Sequence, residues 1–555
     1  MGEKIKILIE EEKTIEVEKG IVAKDLIEKF YLGREKVLGV NVDNKSRTLD
    51  FELHKDCSLK FLTYESSEGR SIYRRSIKFL LISVIKDMYR NGRLEIHHSL
   101  SNGYYFDLNI DIPLNQNLLN EIEERMRKEI RKDKEFERFE VSKDEAISIF
   151  KKEGYPDKVR LLENTNIEEV ALYKYGRYKD INYGPLVLST GYLEVFDLLK
   201  YQHGFRLCFP DMYNRKSITP MSYHGKLFQI HQESKSWTKI LNLTNVSRLN
   251  EIINKGELSD YIKINEVFHE RKITAISDEI LRRKGEARIV LIAGPSSSGK
   301  TTFSKRLKIH LQVNGLSPVT VSLDDYFVNR DDNPKDEEGN YDFESIYSLD
   351  LDLLNKHMVA LLKGEEVHIP RFDFTLGRRS KKTHSMRIND NQIIIIEGIH
   401  GLNEELTRDI PAKNKFKIYI SPLTQLCIDD YNRISTTDCR LIRRMVRDHQ
   451  FRNYPAIETL NRWYSVRRGE ERNIFPFQES ADVMFNSSLF YEIPVLKHYA
   501  EPLLKEITRD KRMFVKADSL LKFLSLFKPA GEDIVSEIPP TSILQEFIGN
   551  SSFKY

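Results

Sequence analysis

Short runs in which hydrophobic and polar positions alternate open the chain, at residues 3–9 (EKIKILI), 13–17 (KTIEV), 37–42 (VLGVNV) and 58–64 (SLKFLTY). This period of two predicts strands, and the helical spacing of IVAKDLIEKF between them completes a β-rich unit of roughly 60 residues. From Ile72 the apolar spacing becomes helical, returns to strand near 94–110, and then reads as mixed-charge helices over roughly 117–151. A strand-rich stretch follows at 170–188. Between 236 and 285 the sequence is polar with a helical period, and the main boundary is placed there. Beyond it the apolar runs RIVLIA, VTVSL (319–323), IIII (393–396) and FKIYI (416–420) alternate with helical segments. That alternation predicts a parallel α/β sheet. Residues 491–555 read as helices.

Length supports several domains, because 555 residues exceed what one hydrophobic core serves. A composition 40% hydrophobic and 31% charged is that of a globular chain. With 87 Lys and Arg against 84 Asp and Glu, the formal charge of +3 gives no global reason to expect a nucleic acid or a membrane surface as partner. Cys57, Cys208, Cys427 and Cys439 form no CxxC pair, which argues against a disulfide framework and fits a reducing cytosol. Acids stand where a signal peptide needs an apolar core, and no apolar run approaches the ~18 residues of a membrane span. A cytoplasmic protein is expected.

The chemistry concentrates in one motif. Gly294-Pro295-Ser296-Ser297-Ser298-Gly299-Lys300-Thr301 matches GxxxxGK[ST] and lies between a strand and a helical segment that continues through Thr302. Glycines let the backbone wrap a phosphate chain, the helix N-terminus presents unpaired N–H groups, Lys300 can reach β/γ oxygens, and the Thr301 hydroxyl suits Mg²⁺. Asp324, at the end of VTVSL, is placed to take a proton from an acceptor hydroxyl. Its neighbour Asp325 could substitute, or both could cap the next segment. Glu397 follows a buried apolar run, where an acid commonly holds Mg²⁺ or its water. Arg440, Arg443, Arg444 and Arg447 recur at spacings of three and four and share a helix face that could close over phosphate, or be solvated or paired to acids. Trp463 reads as a packing residue.

The ordered set GPSSSGKTT, SLDDYF, PRFDF, IIIIEGIHGLN and RLIRRMVRD resembles the uridine kinase and phosphoribulokinase group over roughly 288–490. The resemblance implies an adenylate-kinase-like P-loop fold, ATP and Mg²⁺ as cofactors, and phosphoryl transfer to a ribose-type hydroxyl. It also implies roles: Asp324 as general base, Glu397 as the magnesium-linked acid, and Arg443, Arg444 and Arg447 as a lid. Glu344, Phe372 and Asp373 fall on the acceptor side. Where uridine kinases present a histidine to the pyrimidine, this chain reads Thr375-Leu376-Gly377. A nucleoside acceptor stays first and another ribosyl or sugar compound second.

The front of the chain, about 1–230, resembles the N-terminal region of threonyl-tRNA synthetase, its small TGS domain followed by its editing domain. The traces are EGRSIYRRSIKFLL, LSNGYYFDL, IEERMRKEI and YGRYKDINYGPLVLSTG. Where that family carries a HxxxH pair and the Cys and His of DLCxGPH, this chain has Arg74, Lys78, Asn182 and Leu186. These side chains cannot assemble the imidazole and thiolate site that the chemistry or a metal requires. His97 and His98 are adjacent on a strand and point to opposite faces, which disfavours a shared metal. Arg74, Arg75 and Lys78 suit a small anionic ligand. Dimerisation, ligand sensing and RNA contact remain open roles for this region, including an RNA- or ribosome-associated factor in which the P-loop is a nucleotide switch. The expected architecture is multidomain, α+β and α/β: a β-grasp TGS-like domain (1–64), an α+β editing-like domain (65–235), a helical linker (236–285), a P-loop parallel α/β kinase domain (286–490) and a helical extension (491–555).

Overall fold

In the computed structural model, residues 3–554 are described apart from 166, 212–213, 220–223, 336–338, 340 and 374–375. The opening strand Lys4–Ile9 buries Ile5, Ile7 and Ile9 on one face, as its period requires. It pairs antiparallel with Lys13–Glu18 and parallel with Cys57–Leu62, which in turn pairs with Gly39–Val42. The small sheet closes over Leu26, Val40 and Leu59 as a β-grasp unit.

Next comes the helix Ser67–Met88, capped by Ser66, whose side chain accepts the Gly69 N–H. It is buried for most of its length against an antiparallel sheet ordered Asp197–Tyr201, Gly204–Cys208, Gly103–Asn109, Arg93–Ser99. The stretch expected to be helical over 117–151 is interrupted. Helix Gln116–Arg131 gives way to strand Glu137–Ser142, which pairs with Glu169–Tyr175 before helix Lys143–Glu153 begins. Phe139 and Val141 alternate with charged residues there, so the strand's period is visible only once a partner strand is in place.

In the C-terminal half a five-stranded parallel sheet runs in the order Ser317–Ser322, Gln392–Glu397, Ile289–Ala293, Lys415–Ser421, Val483–Asn486. The central strand Ile289–Ala293 is buried at every position, which explains its unbroken apolar sequence. Helices Val246–Asn254, Leu258–Arg282, Glu492–Lys505 and Phe514–Ser525 contribute to the same core as this sheet. The polar linker and the final helices are therefore integral to the α/β unit. Helix Gly225–Ile240 runs across the boundary expected at 235/236. Among the described residues no helix is long and apolar enough to cross a membrane.

A hairpin is among the contacts that join the halves. Strands Cys427–Asp429 and Asn432–Arg433 lie between the sheet strand Lys415–Ser421 and the arginine helix Thr436–Arg452. Tyr431 at its tip enters the core of the front domain, and Ile96 N–H donates to Asp430 O at 2.9 Å. Lys158 of the front domain pairs with its own Asp180 at 2.8 Å and with Asp429 of the hairpin at 3.2 Å, all of them buried. Replacing Lys158 by Met removes the cation that is ion-paired with both buried carboxylates. The expected cost is about 3–5 kcal/mol, read as a lowered denaturant midpoint, and Asp429→Asn in that background recovers part of it.

Candidate phosphate-binding site

At the carboxyl end of the central strand the chain turns through Gly294–Gly299 into the helix Lys300–Val313. The turn requires its glycines: a Cβ on Gly294 would lie 2.1 Å from Ile420 O, and Gly299 has φ +84°. What holds the loop open is a set of donors on its carbonyl side. Arg440 Nε donates to Ser296 O at 3.0 Å, Arg443 Nη1 to Ser297 O at 3.5 Å, and the Ser487 hydroxyl to Ser298 O at 2.5 Å. With these carbonyls occupied, the loop borders a cavity of about 180 Å³. This cavity is lined by the loop, Lys300, Thr301, Glu344, Arg444 and Arg447, among others.

Lys300 Nζ donates to Gly294 O at 2.9 Å and Pro295 O at 3.2 Å, folded back on the loop. Burial pushes its pKa below the ordinary lysine value, opposed by Glu397 and Glu546. The Thr301 hydroxyl donates to Glu397 Oε1 at 3.1 Å, while Glu397 Oε2 is buried with no hydrogen-bond partner. Burial raises the Glu397 pKa against the pull of Lys300. An orphaned carboxylate oxygen beside a threonine hydroxyl is what a divalent cation satisfies, so Thr301 and Glu397 fit Mg²⁺.

Asp324 and Asp325 follow the edge strand in a short 3₁₀ turn. Asp325 Oδ1 accepts the Phe372 N–H at 3.5 Å, which leaves Asp324 as the acid whose carboxylate is not committed to that strand. Burial, reinforced by Asp325, raises the Asp324 pKa. Phe372 sits 5.7 Å from Phe327, ring to ring, and Asp373 Oδ1 accepts the Leu376 N–H at 3.0 Å. Asp324, Phe372 and Asp373 lie outside the lining of the phosphate cavity, whereas Glu344 lies within it. Burial raises the Glu344 pKa, opposed by Arg444. Thr375, from the segment where a base-reading histidine was sought, falls outside the described residues.

The arginine helix does not present one uniform lid. Arg440 and Arg443 are fully buried and ion-paired with Glu470 and Glu492. The expectation of a lid role for Arg443 is corrected: its guanidinium braces the loop from behind and does not line the cavity. Arg444 and Arg447 do line it. Arg444 Nη1 donates to Ser296 Oγ at 2.7 Å, and both are oriented by the buried Asp448. Glu470 also accepts the Ser296 N–H at 2.9 Å. Trp463 is buried in the core beside Arg440, a packing position.

With this geometry in hand, the model of the Phosphoribulokinase / Uridine kinase family matches residues 289–492. Residues 289–492 form a phosphoribulokinase/uridine kinase family domain. The solved structure of a possible uridine kinase from Bacillus stearothermophilus aligns with 22% identity and a TM-score of 0.26, covering 41% of this chain and 99% of that one. The N-terminal region is similar to threonine–tRNA ligases. That of Clostridium kluyveri is 34% identical over 197 residues, 35% of this chain and 31% of the ligase. The Acetivibrio thermocellus ligase is 32% identical over the same span length. The chain spans about a third of the length of these relatives.

Arg74, Lys78, Asn182 and Leu186 are engaged within the protein itself. Lys78 Nζ donates to Tyr431 O at 2.8 Å and Asn432 Oδ1 at 2.7 Å, both on the hairpin, and burial pushes its pKa down to about 8. Arg75 donates to Pro185 O, Arg74 to Asn102 Oδ1, and Asn182 to Gly184 O. Leu186 is core. The small anion expected at Arg74, Arg75 and Lys78 gives way to neutral oxygens of the chain. His97 and His98 do diverge: His97 Nε2 lies 3.0 Å from Asp107, and His98 stacks on His231 at 3.6 Å. The Lys235 ammonium already occupies the space among Glu95, His97 and Asp107.

Sequence reasoning found the loop, Lys300, Thr301 and Glu397, and missed Asp448, Glu470, Glu492 and Glu546. The missed acids carry no motif, although a helix face with so many arginines signals that buried acids must answer it. Arg443→Met strands Glu492 in the core and is expected to destabilise the fold by about 3–5 kcal/mol in chemical unfolding. Arg444→Ala, removing a side chain at the cavity, is expected to change that midpoint by less than about 1 kcal/mol.

Proposed function

We propose that the P-loop domain transfers the γ-phosphoryl group of ATP to a hydroxyl of a nucleoside, or of a related sugar-bearing alcohol. The observation that carries this reading is the convergence of Lys300, Thr301 and Arg444 on a cavity of phosphate-chain size, with the orphaned Glu397 carboxylate against the Thr301 hydroxyl. Gly294–Thr301 present N–H groups to the phosphates, and Lys300 leaves its loop carbonyls for the β and γ oxygens. Thr301 and Glu397 would hold Mg²⁺, which neutralises charge on the phosphates when bound. Asp324 accepts the acceptor's proton as its oxygen bonds to phosphorus and the bond to ADP breaks. Arg444 and Arg447 stabilise charge on the group in transfer. Glu344, Phe372 and Asp373 face acceptor selection.

For the front half we read a scaffold role. Its former editing pocket holds the hairpin that leads into the arginine helix, and so sets where Arg444 and Arg447 stand.

Incubation with Mg-ATP and a panel of nucleosides and sugars tests the activity: acceptor-dependent ADP formation is expected with at least one nucleoside. Absence of any acceptor-dependent turnover sinks the reading. Asp324→Asn is expected to lower kcat roughly 10²–10⁴-fold. The base works only when deprotonated, and its pKa is raised. Activity is therefore expected to be retained at neutral pH and to fall on acidification at a pH above the ordinary aspartate range, a limb that the pH profile of kcat/KM reads directly.

A further inference from the structure

The first turn of the P-loop helix already carries an anion, and it belongs to the chain. Glu546 Oε2 accepts the Thr302 N–H at 3.2 Å and the Thr302 hydroxyl at 2.7 Å. Its carboxylate therefore stands at a helix N-terminus built to hold a phosphate oxygen. The neighbouring residues close the same approach. A Cβ on Gly299 would come 2.5 Å from Ile543 Cγ2, so Ile543 sits directly on the loop's last glycine. Ile543, Leu544 and Phe547 are fully buried, with the Arg443 guanidinium 5.1 Å above the Phe547 ring. Ser542 is tied back through Glu266, which also accepts the Tyr491 hydroxyl.

Space leads to the same place. The cavity in front of the loop measures about 180 Å³, below the roughly 300–1,000 Å³ of sites that enclose whole small-molecule ligands. Its size is that of a phosphate chain, and Glu546 is part of its lining. A phosphate chain held at Lys300 and Thr301 continues along the helix N-terminus towards the Thr302 N–H, which Glu546 already engages.

We infer that residues 542–549 are a tethered competitor for the nucleoside end of the donor nucleotide, with Glu546 as a stand-in for the phosphate nearest the nucleoside. The inference rests on the nucleotide reading of the P-loop. Bound Mg-ATP and this segment exclude each other at Thr302, so apparent affinity is the intrinsic affinity reduced by the fraction of molecules in which the segment has left. Inorganic pyrophosphate lacks the phosphate nearest the nucleoside and so does not need the Thr302 N–H.

The test uses the full chain and two variants, Glu546→Gln, which keeps the shape and removes the charge, and Ile543→Ala, which loosens the contact without a charge change. Calorimetry should show Mg-ATP binding about tenfold tighter in each, with pyrophosphate affinity changed by less than about twofold in Ile543→Ala. Hydrogen exchange of residues 542–549 in the unmodified protein should rise when Mg-ATP is added. Equal or weaker Mg-ATP binding by both variants, or protection of the segment by Mg-ATP, overturns the inference and leaves the kinase reading intact. Failure of all three folded proteins to bind Mg-ATP overturns the nucleotide reading and the inference together.

Discussion

A loop that is to receive phosphate through its N–H groups must have its carbonyls turned away and satisfied elsewhere. In this protein that requirement falls on Ser296, Ser297 and Ser298, whose carbonyls accept from Arg440, Arg443 and Ser487. Two of these donors are buried cations, and a buried guanidinium needs a carboxylate at close range. Glu470 and Glu492 supply it, and Glu470 returns to the loop to accept the Ser296 N–H. The phosphate loop, the arginine helix and the helices bearing Glu470 and Glu492 are thus one electrostatic unit. Moving any of them breaks a buried ion pair.

The same helix connects this unit to the front half. It begins at Thr436, directly after the hairpin whose Asp429, Tyr431 and Asn432 are gripped by Lys158, the front core and Lys78. In the domain similar to part of a threonine–tRNA ligase, Arg74, Lys78 and Asn182 donate to other groups of the chain and Leu186 is core, so the space around them is filled from within. Lysine at position 78 suits that filling: its long side chain reaches two neutral oxygens on the hairpin, which a shorter imidazole would have to approach along a different line. The two halves share buried charge, so the fold of one stabilises the placement of the other.

The P-loop was legible because its function depends on local backbone geometry. Glycine at 294 and 299, lysine at 300 and threonine at 301 are dictated by a turn and a helix start that no distant residue can replace. Glu397 was legible for a related reason, an acid at the end of a run of buried isoleucines. The strand at 137–142 was not, since its charged positions match a helix surface as well as a strand edge until Glu169–Tyr175 lies beside it. Arg443 and Arg444 are neighbours with the same side chain, and sequence gives them one role. Burial separates them, placing one behind the loop and the other in the cavity.

By itself, then, the sequence determined the elements whose signal is local: the alternating strands, the phosphate loop and the acid beside it. Tertiary structure alone decided which arginines brace the loop and which line the cavity, that Lys78 holds the hairpin, and that Glu546 lies on Thr302. Each of these is a contact between residues far apart in the chain, often hundreds of positions. Its energy comes from burial and charge pairing that exist only after the core has closed, and no spacing rule along the chain encodes which distant carboxylate will meet a given cation.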